Sequence, residues 1–159
     1  MRLLERIESH ALSGLQWLAR RSQPQQSGPS HLATGVDGER VALFYLLRKG
    51  YKVVAERWSS GDLPGDIDLI VWRQGVLCMV EVKTRTVRDE APAEIAVDWK
   101  KRNTLRRLAR RYLRELPGTT PPQVRFDVLS VYLQPGKEAE FEQYENAFGW
   151  NEHERDEWH

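Results

Sequence analysis

A chain of 159 residues, 40% hydrophobic and 30% charged, is long enough for one domain with a real core and some length beyond it. A formal net charge of +1 gives the whole chain no bias towards polyanions, the single cysteine excludes a disulfide framework or zinc cluster, and four scattered histidines argue against a His-based centre. With no apolar run of membrane-span length and no secretory-signal core at the N-terminus, a cytoplasmic protein is expected.

Residues 1–21 carry Leu4, Ile7, Ala11, Leu15 and Leu18 at helical spacing, with Arg2, Arg6, Arg20 and Arg21 elsewhere. This narrow apolar stripe suits packing on the domain, on a second copy or on another partner better than it suits a membrane. Residues 22–30, SQPQQSGPS, read as a flexible linker, and the compact domain is expected over 31–134. Its first helix spans 35–50, with Val41, Leu43, Phe44, Leu46 and Leu47 apolar and Asp37 as N-cap. Glu39 stands four and seven residues before Leu43 and Leu46, so it faces inward. It is either a capping acid favoured by the helix dipole or a carboxylate brought to a site.

A strand over 51–58 and a loop over 59–64 lead to residues 65–85, GDIDLIVWRQGVLCMVEVKTR, around which the chain is organised. Ile67, Leu69 and Val71 alternate with Asp66, Asp68 and Ile70, and the run 76–84 is equally β-prone. Gln74-Gly75 suits a two-residue hairpin loop, because glycine reaches positive φ without strain. Counting back from Arg73 opposite Val76 sets Asp68 against Glu81 and Asp66 against Lys83, whereas a three-residue loop would set Asp68 against Val80. Two carboxylates facing across a strand pair, about 5 Å apart at Cβ, destabilise it unless positive charge lies between them. A divalent cation fits, since hard ions take one or two carboxylates and complete the shell with water and phosphate. Lys83 shares that face and could hold an attacking water or neutralise charge on a phosphate. The bland alternative is a solvated hairpin face. Cys78, in the apolar alternation, reads as a small core residue.

Helical pattern resumes at Pro92 and runs to Leu116, with Asp98 placed to cap a second segment whose apolar face is Leu105, Leu108, Ala109, Tyr112 and Leu113. Lys100, Lys101, Arg102, Arg106, Arg107, Arg110 and Arg114 spread over the remainder, and 100–114 holds eight basic residues and no acid. Such a row suits the spaced phosphates of a nucleic acid, with an ordinary solvated face and an anionic membrane as rivals. A last strand is expected over 124–133. Residues 135–159 read as an acidic tail, either a short docked helix or a disordered end.

The order helix, three strands, helix, strand, with an acid in the first helix, Asp68 in the second strand and Glu81-Val82-Lys83 in the third, resembles the restriction-endonuclease-like nucleases and their PD-(D/E)xK signature. More closely, residues 35–54, 65–85, 96–113 and 125–131 resemble the YraN family, an uncharacterised bacterial group similar to archaeal Holliday junction resolvases. Asp66 stands where that family more often has Glu, and Trp58 where it commonly has Asn. The resemblance implies an α/β fold with an αβββαβ core, a mixed sheet flanked by helices. It also implies an active site of Glu39, Asp68, Glu81 and Lys83, with the Val82 carbonyl as a further metal ligand and Lys101 near the site. The expected activity is Mg²⁺- or Mn²⁺-dependent cleavage of DNA, branched or junction DNA included, by a homodimer. A non-catalytic nucleic-acid-binding or scaffold module on the same fold is the alternative, and a protein-interaction subunit docking through residues 1–21 is a third reading.

Overall fold

The computed structural model describes residues 30–88 and 97–151, with side chains from Asp37 onward. The helix expected over 1–21, the linker before Ser30 and the helical start at Pro92 lie outside the described residues. The elements are α1 (Ser30–Arg48), β1 (Lys52–Trp58), β2 (Ile67–Arg73), β3 (Val76–Arg85), α2 (Trp99–Glu115), β4 (Gln123–Tyr132) and β5 (Glu140–Phe148). The five strands form one mixed sheet in the order β1-β2-β3-β4-β5, in which only β3 and β4 run parallel. A parallel pair needs a long crossover, and the connection that carries α2 supplies it. The αβββαβ core expected from the sequence is therefore present, with one strand added.

Two apolar layers sandwich the sheet. Ala42, Leu43 and Leu46 of α1 pack on Leu69, Val71, Cys78, Val80, Val82, Leu129 and Val131. Leu105, Leu108 and Ala109 of α2 pack on Ile67, Ile70, Leu77, Met79, Phe126 and Val128 of the other face. Both faces being covered, β2 reads as an almost continuous buried run.

Gln74 (φ 50°) and Gly75 (φ 82°) both take the left-handed conformation between the paired Arg73 and Val76, so the β2–β3 loop is the expected two-residue turn of the type favoured in hairpins. α1 differs from expectation at its start. It begins at Ser30, so Asp37 lies two turns inside the helix and is not its cap. Its end is a Schellman motif: Gly50 (φ 85°) donates to the Leu47 carbonyl at 3.0 Å and Tyr51 to the Leu46 carbonyl at 3.0 Å.

The acidic tail is corrected more deeply. Residues 140–148 form β5, antiparallel to β4, so the domain does not end at 134. Phe148 stacks on Phe126 at 4.9 Å and Phe141 on Tyr45 at 4.4 Å. The acids that made the segment look like a solvated end are counter-charges: Glu140 and Glu142 bind Arg88, Glu142 also accepts from the Tyr132 and Tyr144 hydroxyls, and Glu145 accepts from Arg125 and Tyr51.

One close approach fixes the helix that carries Glu39. A Cβ at Gly38 would lie 1.8 Å from Thr84 Oγ1 and 2.8 Å from its Cβ and Cγ2, so α1 meets β3 at a point only glycine allows. Gly38→Ala should destabilise the fold by about 1–3 kcal/mol through overpacking, with part of the loss returning in a Thr84→Ala background. Urea unfolding of the three variants checks this, and an unchanged midpoint for Gly38→Ala would refute the close contact.

Candidate active site

β2 and β3 pair from Arg73↔Val76 to Leu69↔Val80, and there the ladder stops. Asp68 and Glu81 occupy the next step of that register. The backbone N–H of Val82 donates instead to Asp68 Oδ2 at 2.8 Å, so a side chain has taken over a ladder hydrogen bond and the two strands part. The bulge that shifts β1 against β2 between Val53 and Ala55 adds local twist along the neighbouring strand.

Glu81, 4% exposed, lies between two ammonium groups: Lys83 Nζ stands 3.1 Å from Oε1, and Lys101 Nζ, from the first turns of α2, stands 3.1 Å from Oε2. The second contact is an ion pair without hydrogen-bond alignment, which leaves buried Oε2 with no directed hydrogen bond. Asp98 caps α2 as expected, accepting from Lys101 N at 2.9 Å, and so fixes the backbone that delivers Lys101.

Charge at the site follows from burial. Desolvation, with the Glu81 charge adding to it, pushes the Asp68 carboxyl up to about 7 against the Val82 N–H and Lys101, which favour the anion. Burial would lower the Lys101 ammonium, but the Glu81 carboxylate, with Asp68 and Asp66 behind it, outweighs that and holds it above its ordinary value. Glu39 is raised by burial, with Arg57 opposing and Asp66 and Glu81 reinforcing the rise. Its nearest cation is Arg57, Nε to Oε2 3.3 Å, a residue with φ 45° at the end of β1. Glu39 thus feels the same electrostatic field as Asp66 and Glu81 but is tied to Arg57.

Among the described residues no three His, Cys, Asp or Glu side chains stand together as a metal cluster. The donors that fit a cation are fewer: Asp68 through the oxygen not given to Val82, and Glu81 through the oxygen lacking a directed hydrogen bond. Two carboxylates and waters are an ordinary set for Mg²⁺, so the residues fit such an ion without Glu39 as a direct ligand.

The basic row on α2 is divided by the fold. Lys101 points into the site. Arg106 is 3% exposed: its Nε donates to the Gly149 carbonyl at 2.8 Å, its Nη1 to Asn103 Oδ1 at 3.0 Å, and its guanidinium covers the Phe148 ring. Arg102 donates to the Val97 carbonyl at 2.8 Å and shares that ring. Both are committed to structural partners that a helical wheel does not show, Val97 and the β5 ring of Phe148 for Arg102, and Gly149 and the same ring for Arg106. Lys100, Arg107, Arg110 and Arg114 remain exposed. Arg110 covers Trp150 at 5.2 Å and, with Arg114, Thr119 and Thr120, lines an open groove of about 400 Å³ at the far end of α2.

Two neighbours escaped the sequence reading. Arg57 carried no pattern to single it out. Ser130 lies beside Lys83 in the parallel register and is fully buried, and its Oγ has no hydrogen-bond partner among the described residues. Only knowledge of the β3–β4 pairing could have found it.

The profile of an uncharacterised protein family, UPF0102, matches residues 38–131. A UPF0102 protein of Koribacter versatilis is 48% identical over 114 residues, which cover 72% of this chain and 78% of that one. Relatives of the same name are 41% identical in Solibacter usitatus, covering 78% and 88%, and 40% identical in Symbiobacterium thermophilum, covering 72% and 94%.

Proposed function

The chain belongs to the uncharacterised family UPF0102, and from the parting of β2 and β3 at Asp68 and Glu81 we propose that it is a metal-dependent endonuclease hydrolysing phosphodiesters of DNA. The observation that carries this reading is a buried carboxylate pair held at the end of a strand ladder with two lysines directed at it. Asp68, Glu81 and the Val82 carbonyl would hold Mg²⁺ or Mn²⁺, with Glu39 adding negative charge at the border. Such an ion, when bound, supplies positive charge against the phosphoryl oxygens and acidifies the attacking water.

The chain's own groups do the rest. Lys83 and Lys101, both held at Glu81, would be the ammonium groups that meet the scissile phosphate. Lys83, on the same strand face as Glu81, orients the water or stabilises charge on the pentacovalent phosphate. Exposed Lys100, Arg107, Arg110 and Arg114 neutralise flanking phosphates and give binding a steep salt dependence without sequence readout. The resemblance noted above extends the proposal to branched or junction DNA and to a homodimer presenting two sites.

Incubation with junction, flap, single-stranded and duplex DNA in Mg²⁺ or Mn²⁺ tests it. Cleavage should fall at least about 10²-fold in Glu81→Ala and in Lys83→Ala, by analogy with loss of other charge-stabilising groups. No cleavage of any substrate, or cleavage indifferent to Glu81→Ala, would sink it. One observation favours a second reading, a binding module without catalysis: Glu81 is already neutralised by two lysines, so its charge does not demand a cation. That module would bind DNA in a salt-sensitive way, lose binding when Arg107, Arg110 and Arg114 are neutralised, and be indifferent to Glu81→Ala.

A further inference from the structure

Trp99 is 62% exposed, whereas the other described tryptophans, Trp58, Trp72 and Trp150, pack against the core beneath α2. Among the described residues nothing needs an indole there: an exposed ring contributes little by burial, and tryptophan is a middling helix former. Its position is nevertheless well defined. Trp99 opens α2 directly after Asp98, whose side chain holds Lys101 N at 2.9 Å, so the cap fixes the backbone that carries the ring. Two residues on, Lys101 reaches Glu81. Residues two apart on a helix project about 200° from one another, so the ring leaves α2 on the side away from Lys101, about 3 Å along the axis from the side chain that enters the acidic site. Exposed Lys100 lies between them in sequence. Elsewhere along α2 the aromatic rings are already covered, Phe148 by Arg102 and Arg106 and Trp150 by Arg110, while Trp99 has no ring or cation partner among the described residues.

We infer that Trp99 is a stacking platform for one unpaired base of the strand that passes the start of α2 on its way to the cleaved phosphodiester, with Lys100 on the adjoining phosphate, so that the substrate class is single-stranded or branched DNA and not uninterrupted duplex. This rests on the nuclease reading for the position of the phosphodiester. The selectivity comes from access: inside a duplex both faces of a base are already stacked, whereas a base in a single strand or at a branch offers a free face to an aromatic ring. Stacking of this kind tolerates any base, in keeping with an α2 surface that meets phosphates without base readout.

The test is equilibrium binding of the full chain, in EDTA so that nothing is cut, to a single strand and a flap carrying 2-aminopurine at the unpaired position and to a matched duplex. Trp99→Ala should weaken single-strand and flap binding by about 5- to 150-fold. Duplex binding should stay within about twofold and the salt slope should be unchanged, because no phosphate contact is removed. Trp99→Phe should recover most of the loss and the 2-aminopurine quenching. Equal losses on all three DNAs, no loss on any, or no binding of DNA by the unaltered chain would overturn the inference. So would an effect confined to phosphatidylserine vesicles, or a Trp99→Ala chain whose only change is its sedimentation as a smaller species. The nuclease reading is judged separately by cleavage in Mg²⁺. Trp99-dependent binding without cleavage leaves the stacking site standing and removes the nuclease, and cleavage without Trp99 dependence does the reverse.

Discussion

Arg125→Met should destabilise the fold by about 3–5 kcal/mol, the usual consequence of leaving one member of a buried ion pair behind. Asp127 is 1% exposed and receives Arg125 in a fork, Nε to Oδ1 and Nη2 to Oδ2, both at 2.8 Å. The same guanidinium ties in the Tyr51 hydroxyl at 3.0 Å and Glu145 at 3.1 Å, so it links α1's exit, β4 and β5. Asn146 N–H at 3.0 Å and Gln143 at 3.3 Å complete the shell around Asp127 but bring no net charge. Burial already raises the Asp127 carboxyl against the pull of these donors, which is the sign of a site that tolerates an anion only while Arg125 is present. Urea unfolding at constant slope gives the loss, and Arg125→Met with Asp127→Leu should regain a large part of it. A loss below about 1 kcal/mol would mean that Gln143 and Asn146 suffice, since that is the range of an ordinary hydrogen bond.

The second large effect is a pH dependence set by Asp68. Its carboxyl, pushed up to about 7 in the folded chain from an ordinary 3.8, keeps a proton that the unfolded chain has already released. Between those values the native state binds more protons, so raising the pH lowers stability. The Asp68 contribution is whole below about pH 4 and lost as pH rises through about 7. Thermal unfolding from pH 4 to 8 in EDTA should show this as the difference between the chain and Asp68→Asn, whose amide cannot ionise. Mg²⁺ or Mn²⁺ should narrow the difference above pH 7 by replacing the proton's charge with its own. Parallel profiles for the two chains in EDTA would refute the buried acid, and a difference that Mg²⁺ and Mn²⁺ leave unchanged would refute the cation.

How far such a site can be read from sequence depends on whether its contacts are local in the chain. The β2–β3 hairpin was legible because Gln74-Gly75 suits a two-residue loop, from which the pairing Arg73↔Val76 follows. α2 was legible for a similar reason, its apolar residues and Asp98 agreeing on face and start. What counting could not show is that the ladder stops at Leu69↔Val80, because a side chain and not a backbone carbonyl receives Val82 N–H. β5 was hidden by composition. Glutamate is a poor strand former on average, and the reason it is accepted at 140, 142 and 145 is a set of arginine and tyrosine partners 10 to 94 residues distant in the chain. Arg106 misled in the same way, since a wheel displays its charge but not Gly149 and Phe148 folded against it.

Every strand of this sheet lies beside its neighbour in sequence. A chain emerging from the ribosome can therefore lay its sheet down in the order of synthesis, each new strand meeting a partner already in place. Among the described strands the one long closure is the crossover from β3 to β4. Asp68 and Glu81 belong to one hairpin, so the acid pair needs no residue of α2 to bring it together, whereas Lys101 arrives only through the crossover.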